Sequence, residues 1–141
     1  MWIDPVMAWL IKSPFHSLVS KNMLLITVTG RKSGKPITTP TAYLREGNTL
    51  WIISQRESKW WRNLRGGANA TVVLAGKSIQ GRGSVIEDEQ AVAQRLFDNF
   101  KIDMKRARFA QVRIDENGLP VFEDCERTAK KMLAVKIELL Q

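Results

Sequence analysis

A chain of 141 residues is long enough to bury roughly two-thirds of the surface that its unfolded form exposes, and a composition of 44% hydrophobic and 26% charged residues excludes a disordered chain. The formal net charge of +8 asks for a polyanionic partner: nucleic acid, an acidic membrane surface, or a small molecule bearing phosphate and carboxylates. A single cysteine, Cys125, and a single histidine, His16, exclude an internal disulfide and a Cys/His zinc site, so no metal is expected and the cytosol is the natural compartment.

No linker, repeat or biased segment divides the sequence, so residues 1–141 are expected to form one domain. At the start, Asp4 and Pro5 resemble an N-cap and first-turn proline opening a short helix through Val6, Met7, Trp9, Leu10 and Ile11. Broken by Asp4, Pro5, Lys12 and Pro14, this stretch is neither a signal peptide nor a membrane span. It reads as a helix covering the core or, alternatively, as a loose membrane-surface contact. His16 lacks any motif tying it to a Ser or Asp partner, which points to packing over catalysis.

Met23 to Thr29 is a β-branched run of strand length that stops at Gly30. Gly30 to Pro36 is a polar turn, and Ile37 to Leu44 resumes a strand in which Pro40 is tolerated only where its missing N–H is not needed. Glu46, Gly47 and Asn48 turn the chain into a third strand, Thr49 to Ser54. Trp60, Trp61 and Leu64 recur at helical spacing within Glu57 to Leu64, which Gly66 and Gly67 end. Of two adjacent helical tryptophans only one can face the core, and Trp61 is the expected one.

Thr71 to Ala75 and Ser78 to Ile86 form a hairpin closed by Gly76 and Lys77. Asp88 begins a helix from Glu89 to Lys101, whose apolar stripe runs through Ala91, Val92, Leu96, Phe97 and Phe100. Met104 to Val112 suggests a further helix, Asp115 to Gly118 a turn, Leu119 to Lys131 is ambiguous, and Met132 to Leu140 alternates as a closing strand. Cys125, among Glu123, Asp124 and Glu126, is expected to be a poor nucleophile with a raised pKa. About six short, mostly antiparallel strands with peripheral helices predict an α+β, mainly β fold, a small barrel whose closure removes exposed edges.

The turn Gly30-Arg31-Lys32-Ser33-Gly34-Lys35-Pro36 concentrates cations, a hydroxyl and glycines between two strands. Glycines let backbone N–H groups point inward, Arg31 can pair bidentately with a phosphate or carboxylate, and Lys32 and Lys35 add point charges. Joining strand to strand without G-x-x-x-x-G-K-[ST] spacing, it is not a P-loop. Alone it specifies an anion site or, more blandly, a solvated basic hairpin.

With Pro40 and Tyr43 in the next strand, Ser54 ending the third, and the Lys59-Trp60-Trp61-Arg62-Asn63-Leu64 segment, the turn resembles the deazaflavin-dependent nitroreductase family, the coenzyme F-420-dependent split β-barrel oxidoreductases. The resemblance implies that Arg31, Lys32, Ser33 and Lys35 hold the phospholactyl and oligoglutamate tail of the coenzyme, with Thr39, Pro40 and Thr41 flanking the ring system. It places Ser54 and Gln55 near the reactive ring edge, with Lys59, Trp60, Trp61 and Asn63 closing the groove and Arg56, Arg62 and Arg65 extending the positive field. It implies hydride transfer to a small organic acceptor such as a quinone, nitro compound or activated alkene, with Ser54 or Tyr43 as candidate proton donors, and a possible homodimer. The sequence departs from the pattern at Ala42, where relatives that reduce nitro-aromatics and quinones carry tyrosine, and it lacks their C-terminal tyrosines.

Two other readings fit the charge. An FMN-dependent enzyme of the pyridoxamine-phosphate-oxidase-like group would share the fold, although FMN needs fewer cations. A nucleic-acid-binding module is invited by the tryptophans and by Arg65-Gly66 and Gly81-Arg82-Gly83, but base stacking needs aromatics exposed on a strand face. Trp51, Trp60 and Trp61 read as core and groove, so nucleic acid is not the expected partner.

Overall fold

The computed structural model describes residues 23–140. The helix expected near the N-terminus and His16 lie outside them. Seven strands form one antiparallel sheet: β1 (Met23–Thr29), β2 (Pro36–Ala42), β3 (Leu44–Glu46), β4 (Thr49–Gln55), β5 (Ala68–Leu74), β6 (Lys77–Ile86) and β7 (Met132–Leu139). Their order across the sheet is β2-β1-β5-β6-β7-β4-β3. The sheet curls until β2 touches β4, leaving an open seam between the two ends. This is the α+β, mainly β split barrel that the sequence predicts.

Register follows the pleat. Leu24, Ile26 and Val28 of β1, Ala70, Val72 and Leu74 of β5, Leu133, Val135 and Ile137 of β7, and Leu50 and Ile52 of β4 share the inner face and are buried there. Around the sheet lie a short 3-10 helix, Trp60–Leu64, and three α-helices: α1 (Glu89–Ile102), α2 (Met104–Phe109) and α3 (Phe122–Ala129). Helix α1 packs on α3 and β7. Asp88 caps α1, its carboxylate accepting from the Ala91 N–H at 2.9 Å.

Several boundaries move. The strand expected over 37–44 breaks at Tyr43 into β2 and β3, which raises the strand number from six to seven. Pro40 sits on β2, an edge strand bonded only to β1, where a missing donor is tolerated. The helix expected from Glu57 shrinks to five 3-10 residues. The β5–β6 turn is Ala75-Gly76, not Gly76-Lys77, with φ of +50° and +78°, because a two-residue hairpin matching the sheet's twist needs a left-handed backbone at both positions. Helix α2 stops at Phe109, short of Val112, and the ambiguous 119–131 segment resolves into α3.

Gly81 and Gly83 serve packing. A Cβ at Gly83 would lie 3.0 Å from both methyl carbons of Leu64 and from Cδ1 of Ile137, and one at Gly81 would lie 2.8 Å from Cγ2 of Ile137. The bare backbone at Gly83 makes the space into which the 3-10 helix inserts Leu64, which is fully buried, and that at Gly81 makes room for Ile137.

Candidate functional site

The basic turn is a tight cap on β1 and β2. Gly30 N–H donates to the Lys35 carbonyl at 2.9 Å and Gly34 N–H to the Gly30 carbonyl at 2.8 Å. Gly34 adopts φ +69°, a conformation that favours glycine. The Ser33 hydroxyl folds back over the turn and accepts the Lys35 N–H at 3.2 Å. Arg31, Lys32 and Lys35 are consequently exposed.

The predicted segments meet through one run of hydrogen bonds. At the end of β4, Ser54 is buried and its Oγ accepts from Trp60 Nε1 at 3.2 Å, while the Gln55 carbonyl accepts from Trp61 Nε1 at 3.2 Å. Trp60 is half-buried and Trp61 is buried beside Leu64, the division expected of the pair. Asn63 Nδ2 donates to the Trp60 carbonyl at 3.0 Å, and Asn63 Oδ1 accepts from the Arg31 N–H at 3.0 Å. The Arg31 guanidinium also reaches across to the Arg65 carbonyl. Ser54, Trp60, Asn63 and Arg31 are thus connected, although 54 and 31 belong to different hairpins.

Strand β2 runs away from the turn along the open seam. Pairing of Thr39 with Ile26 and Thr41 with Leu24 puts both threonines, half-buried, on the inner face that Ser54 shares from β4. Pro40 and Thr38 face the other side, where Thr38 Oγ1 lies 2.8 Å from Thr27 Oγ1. Thr39, Pro40 and Thr41 therefore do not present one surface. Tyr43 stands at the β2–β3 break, half-buried against the core, its carbonyl held by the Arg106 guanidinium.

The flanking arginines contribute less charge than their number suggests. Arg56 donates to the carbonyls of Glu87 at 2.7 Å and Ala129 at 3.0 Å, and Arg65 pairs with Glu87 at 2.8 Å while covering the Trp61 ring. Hydrogen bonding from Arg65 keeps the Glu87 carboxyl below its usual range. Arg62 also lies over Trp61, 5.7 Å from the ring centroid. Among the described residues, Lys32, Lys35 and Lys59 form no ion pair, the charge of Arg62 acts on Glu87 without an ion pair, and neither 30–36 nor 59–65 contains an acid. This cationic rim fits a ligand with several negative charges.

The sequence profile described as F420H(2)-dependent quinone reductase matches residues 14–125, which include the turn, the seam and the 3-10 helix. The chain belongs to that family. It is therefore an oxidoreductase, and the coenzyme of its family is deazaflavin F-420. No curated protein matches the reductase. Among solved structures it resembles a candidate pyridoxamine 5'-phosphate oxidase from Listeria innocua, with 17% identity, 90% of each chain covered and a TM-score of 0.57. A Clostridium acetobutylicum protein related to general stress protein 26, of the pyridoxinephosphate oxidase family, matches at 12% identity and TM-score 0.56, over 97% of this chain and 86% of that one. The general stress FMN/FAD binding protein of Xanthomonas citri matches at 16% identity and TM-score 0.55, over 86% and 78%. At these identities the likeness concerns the fold alone, a split barrel.

Other polar features of the reductase are spent internally. Trp51 is half-buried between Arg95 and Lys136, whose charges lie 4.3 Å and 5.8 Å from its ring centroid. An open depression of about 430 Å³ is walled by Glu46, Arg95, Asp98, Lys101 and Ile102, in which Arg95 pairs with Glu46 and Lys101 with Asp98. Asp124, missed in the sequence except as a neighbour of Cys125, is fully buried and accepts from Arg113 and Arg127. Burial, then Asp124 and Glu126, push the Cys125 thiol up to about 11. Among the described residues no cluster of His, Cys, Asp or Glu could hold a metal, and no helix is long and apolar enough to cross a membrane.

Proposed function

We propose that the reductase binds coenzyme F-420 along the seam between β2 and β4, with its acidic tail on Arg31, Lys32, Ser33 and Lys35, and transfers a hydride to a quinone, nitro compound or activated alkene. The observation that carries this reading is the hydrogen-bonded run Ser54–Trp60–Asn63–Arg31, which ties an anion-holding turn to the inner face of the seam. When bound, the deazaflavin supplies the hydride.

The chain's residues supply binding, orientation and exclusion of water. Arg31 keeps guanidinium N–H groups beyond the one on Arg65, enough to pair with a phosphate or carboxylate oxygen. Lys32, Lys35 and Lys59 add exposed point charges that attract a polyanion over several ångströms. Thr39 and Thr41 offer hydroxyls on the inner face, and Trp60 and Gln55 wall the end of β4. Ser54 is a poor proton donor, because its oxygen takes the Trp60 N–H and its hydrogen is directed to the Gln55 carbonyl at 3.3 Å. With Tyr43 half-buried, the proton that completes reduction comes from solvent or from Tyr43.

A second reading, FMN in the same seam, is supported by the FMN/FAD binding neighbour. Nucleic acid is disfavoured, since Gly81 and Gly83 serve packing and Trp61 is buried. Fluorescence titration of the purified protein with F-420 and with FMN tests the choice. Binding of F-420 that is at least tenfold tighter than that of FMN and is lost in the Arg31→Ala/Lys32→Ala double variant supports the proposal. No F-420 binding by the native protein would refute it.

A further inference from the structure

We infer that Asn63 is a positioning residue that couples the anion-holding turn to the ring end of the groove, and that its side-chain amide does so through bonds to the protein's own backbone, not as a ligand of the coenzyme. This rests on the F-420 reading above and assigns the division of labour within that site. Asn63 belongs to the 3-10 helix, whose neighbours Trp61 and Leu64 are buried and fix its frame. Its Oδ1 accepts the Arg31 N–H and its Nδ2 donates to the Trp60 carbonyl, each at 3.0 Å.

The amide orientation is decided by its partners. Rotated by a half-turn, it would set Nδ2 against a donor and Oδ1 against an acceptor, losing both bonds. Asp, Ser, Thr, Ala or His at this position each lack one of the two functions or their spacing. The consequence is mechanical: Trp60, which grips Ser54, and Arg31, the first cation of the turn, are held by opposite ends of one planar group. Removing it leaves each half of the groove intact, joined only through the Arg31 guanidinium on the Arg65 carbonyl, a long side chain that lets the backbone of the turn shift relative to the helix. A ligand that spans both halves must then restore the alignment at its own expense.

The test compares Asn63→Ala, Asn63→Asp and Lys32→Ala by two measurements. The first is amide hydrogen exchange at Arg31 in the protein alone. The second is affinity for full F-420 and for its ring-and-ribityl fragment, which lacks phosphate and glutamates. Asn63→Ala should speed Arg31 exchange about 2- to 10-fold and weaken full F-420 by a similar factor, leaving the fragment within twofold of native. Asn63→Asp, which retains an acceptor for the Arg31 N–H, should restore slow exchange while its charge keeps F-420 binding weak. Lys32→Ala should weaken F-420 without changing Arg31 exchange. Unchanged Arg31 exchange in Asn63→Ala, or a fragment affinity that falls as far as that of the full coenzyme, would overturn the coupling role. If native protein binds neither ligand, the functional reading fails, and the exchange arm still decides whether Asn63 holds the turn. Should Asn63→Ala not fold, Asn63→Ser carries the same comparison.

Discussion

The backbone N–H of Arg31 and the side-chain oxygen of Asn63 meet at 3.0 Å across 32 positions of sequence, joining a β-hairpin turn to a 3-10 helix. Arg31 reaches the end of that helix a second time through its guanidinium, on the carbonyl of Arg65, the residue that follows it. Its fork is thereby aimed before any ligand arrives.

Arg31→Lys should therefore not be conservative. An ammonium cannot hold the Arg65 carbonyl and a tail oxygen in one plane, so F-420 affinity should fall about tenfold or more. Lys32→Arg should change it less than threefold. Lys35→Ala should cost about two- to fivefold, an effect that shrinks at high salt because the cation is exposed. Titrations at low and high ionic strength read all three.

Ala75 occupies φ +50°, where an L side chain crowds its own carbonyl. Ala75→Gly should raise stability by about 1 kcal/mol, and Ala75→Asn by somewhat less. Denaturant midpoints measure the gain, and a loss in both variants would contradict the turn geometry.

At the other extreme, Gly81→Ala brings a Cβ to 2.8 Å from Ile137 and 3.1 Å from the Glu138 carbonyl oxygen, which cannot step aside. A loss of about 1–3 kcal/mol is expected from overpacking. Gly83→Ala meets only side-chain carbons and should cost less, while disturbing Leu64 and hence the 3-10 helix. Chemical denaturation ranks the pair.

Asp124 accepts the Arg113 side chain and N–H and the Arg127 guanidinium, which hold its carboxyl well below the ordinary range against the opposing effect of burial. A folded pKa below the unfolded one gives stability that is complete above the unfolded value of about 4 and is lost as pH falls below it toward the folded one. Native protein should therefore lose stability steeply below pH about 4. Asp124→Asn should be weaker by roughly 2–3 kcal/mol at pH 7 and should show a flatter acid limb. Unfolding curves between pH 2 and 8 compare them.

Cys125, fully buried, with its pKa raised to about 11, should not react with a thiol reagent at pH 8 in the folded protein. It should react fully in denaturant. Rapid labelling of the native state would mean that α3 opens far more readily than its packing on α1 suggests.

Strand-forming runs, the helix after Asp88 and the buried member of the tryptophan pair were legible in the sequence, because each rests on local periodicity. The break at Tyr43 was not, since the apolar pattern continues while the pairing partner changes from β1 to β4. Helix α3 was obscured because its buried face includes a charge, Asp124, whose arginine partner Arg113 lies eleven residues away and enters from a loop. At the site, the cationic turn announced itself by composition. What it pairs with did not: the Arg31–Asn63 and Trp60–Ser54 bonds depend on tertiary placement, and the discharge of Arg56 and Arg65 by Glu87 and nearby carbonyls has no signature at a fixed spacing.

The same five-residue 3-10 helix carries Leu64 and Trp61 into the core and Trp60 and Asn63 to the groove. On the proposed function, coenzyme recognition is consequently written into residues that the barrel cannot spare, and an insertion or shift in this segment would unseat both at once. Ala42, by contrast, is exposed at the end of an edge strand. If, as proposed, the acceptor sits at that end, substitutions there should cost folding little, and related chains are expected to diversify in what they reduce faster than in what they reduce it with.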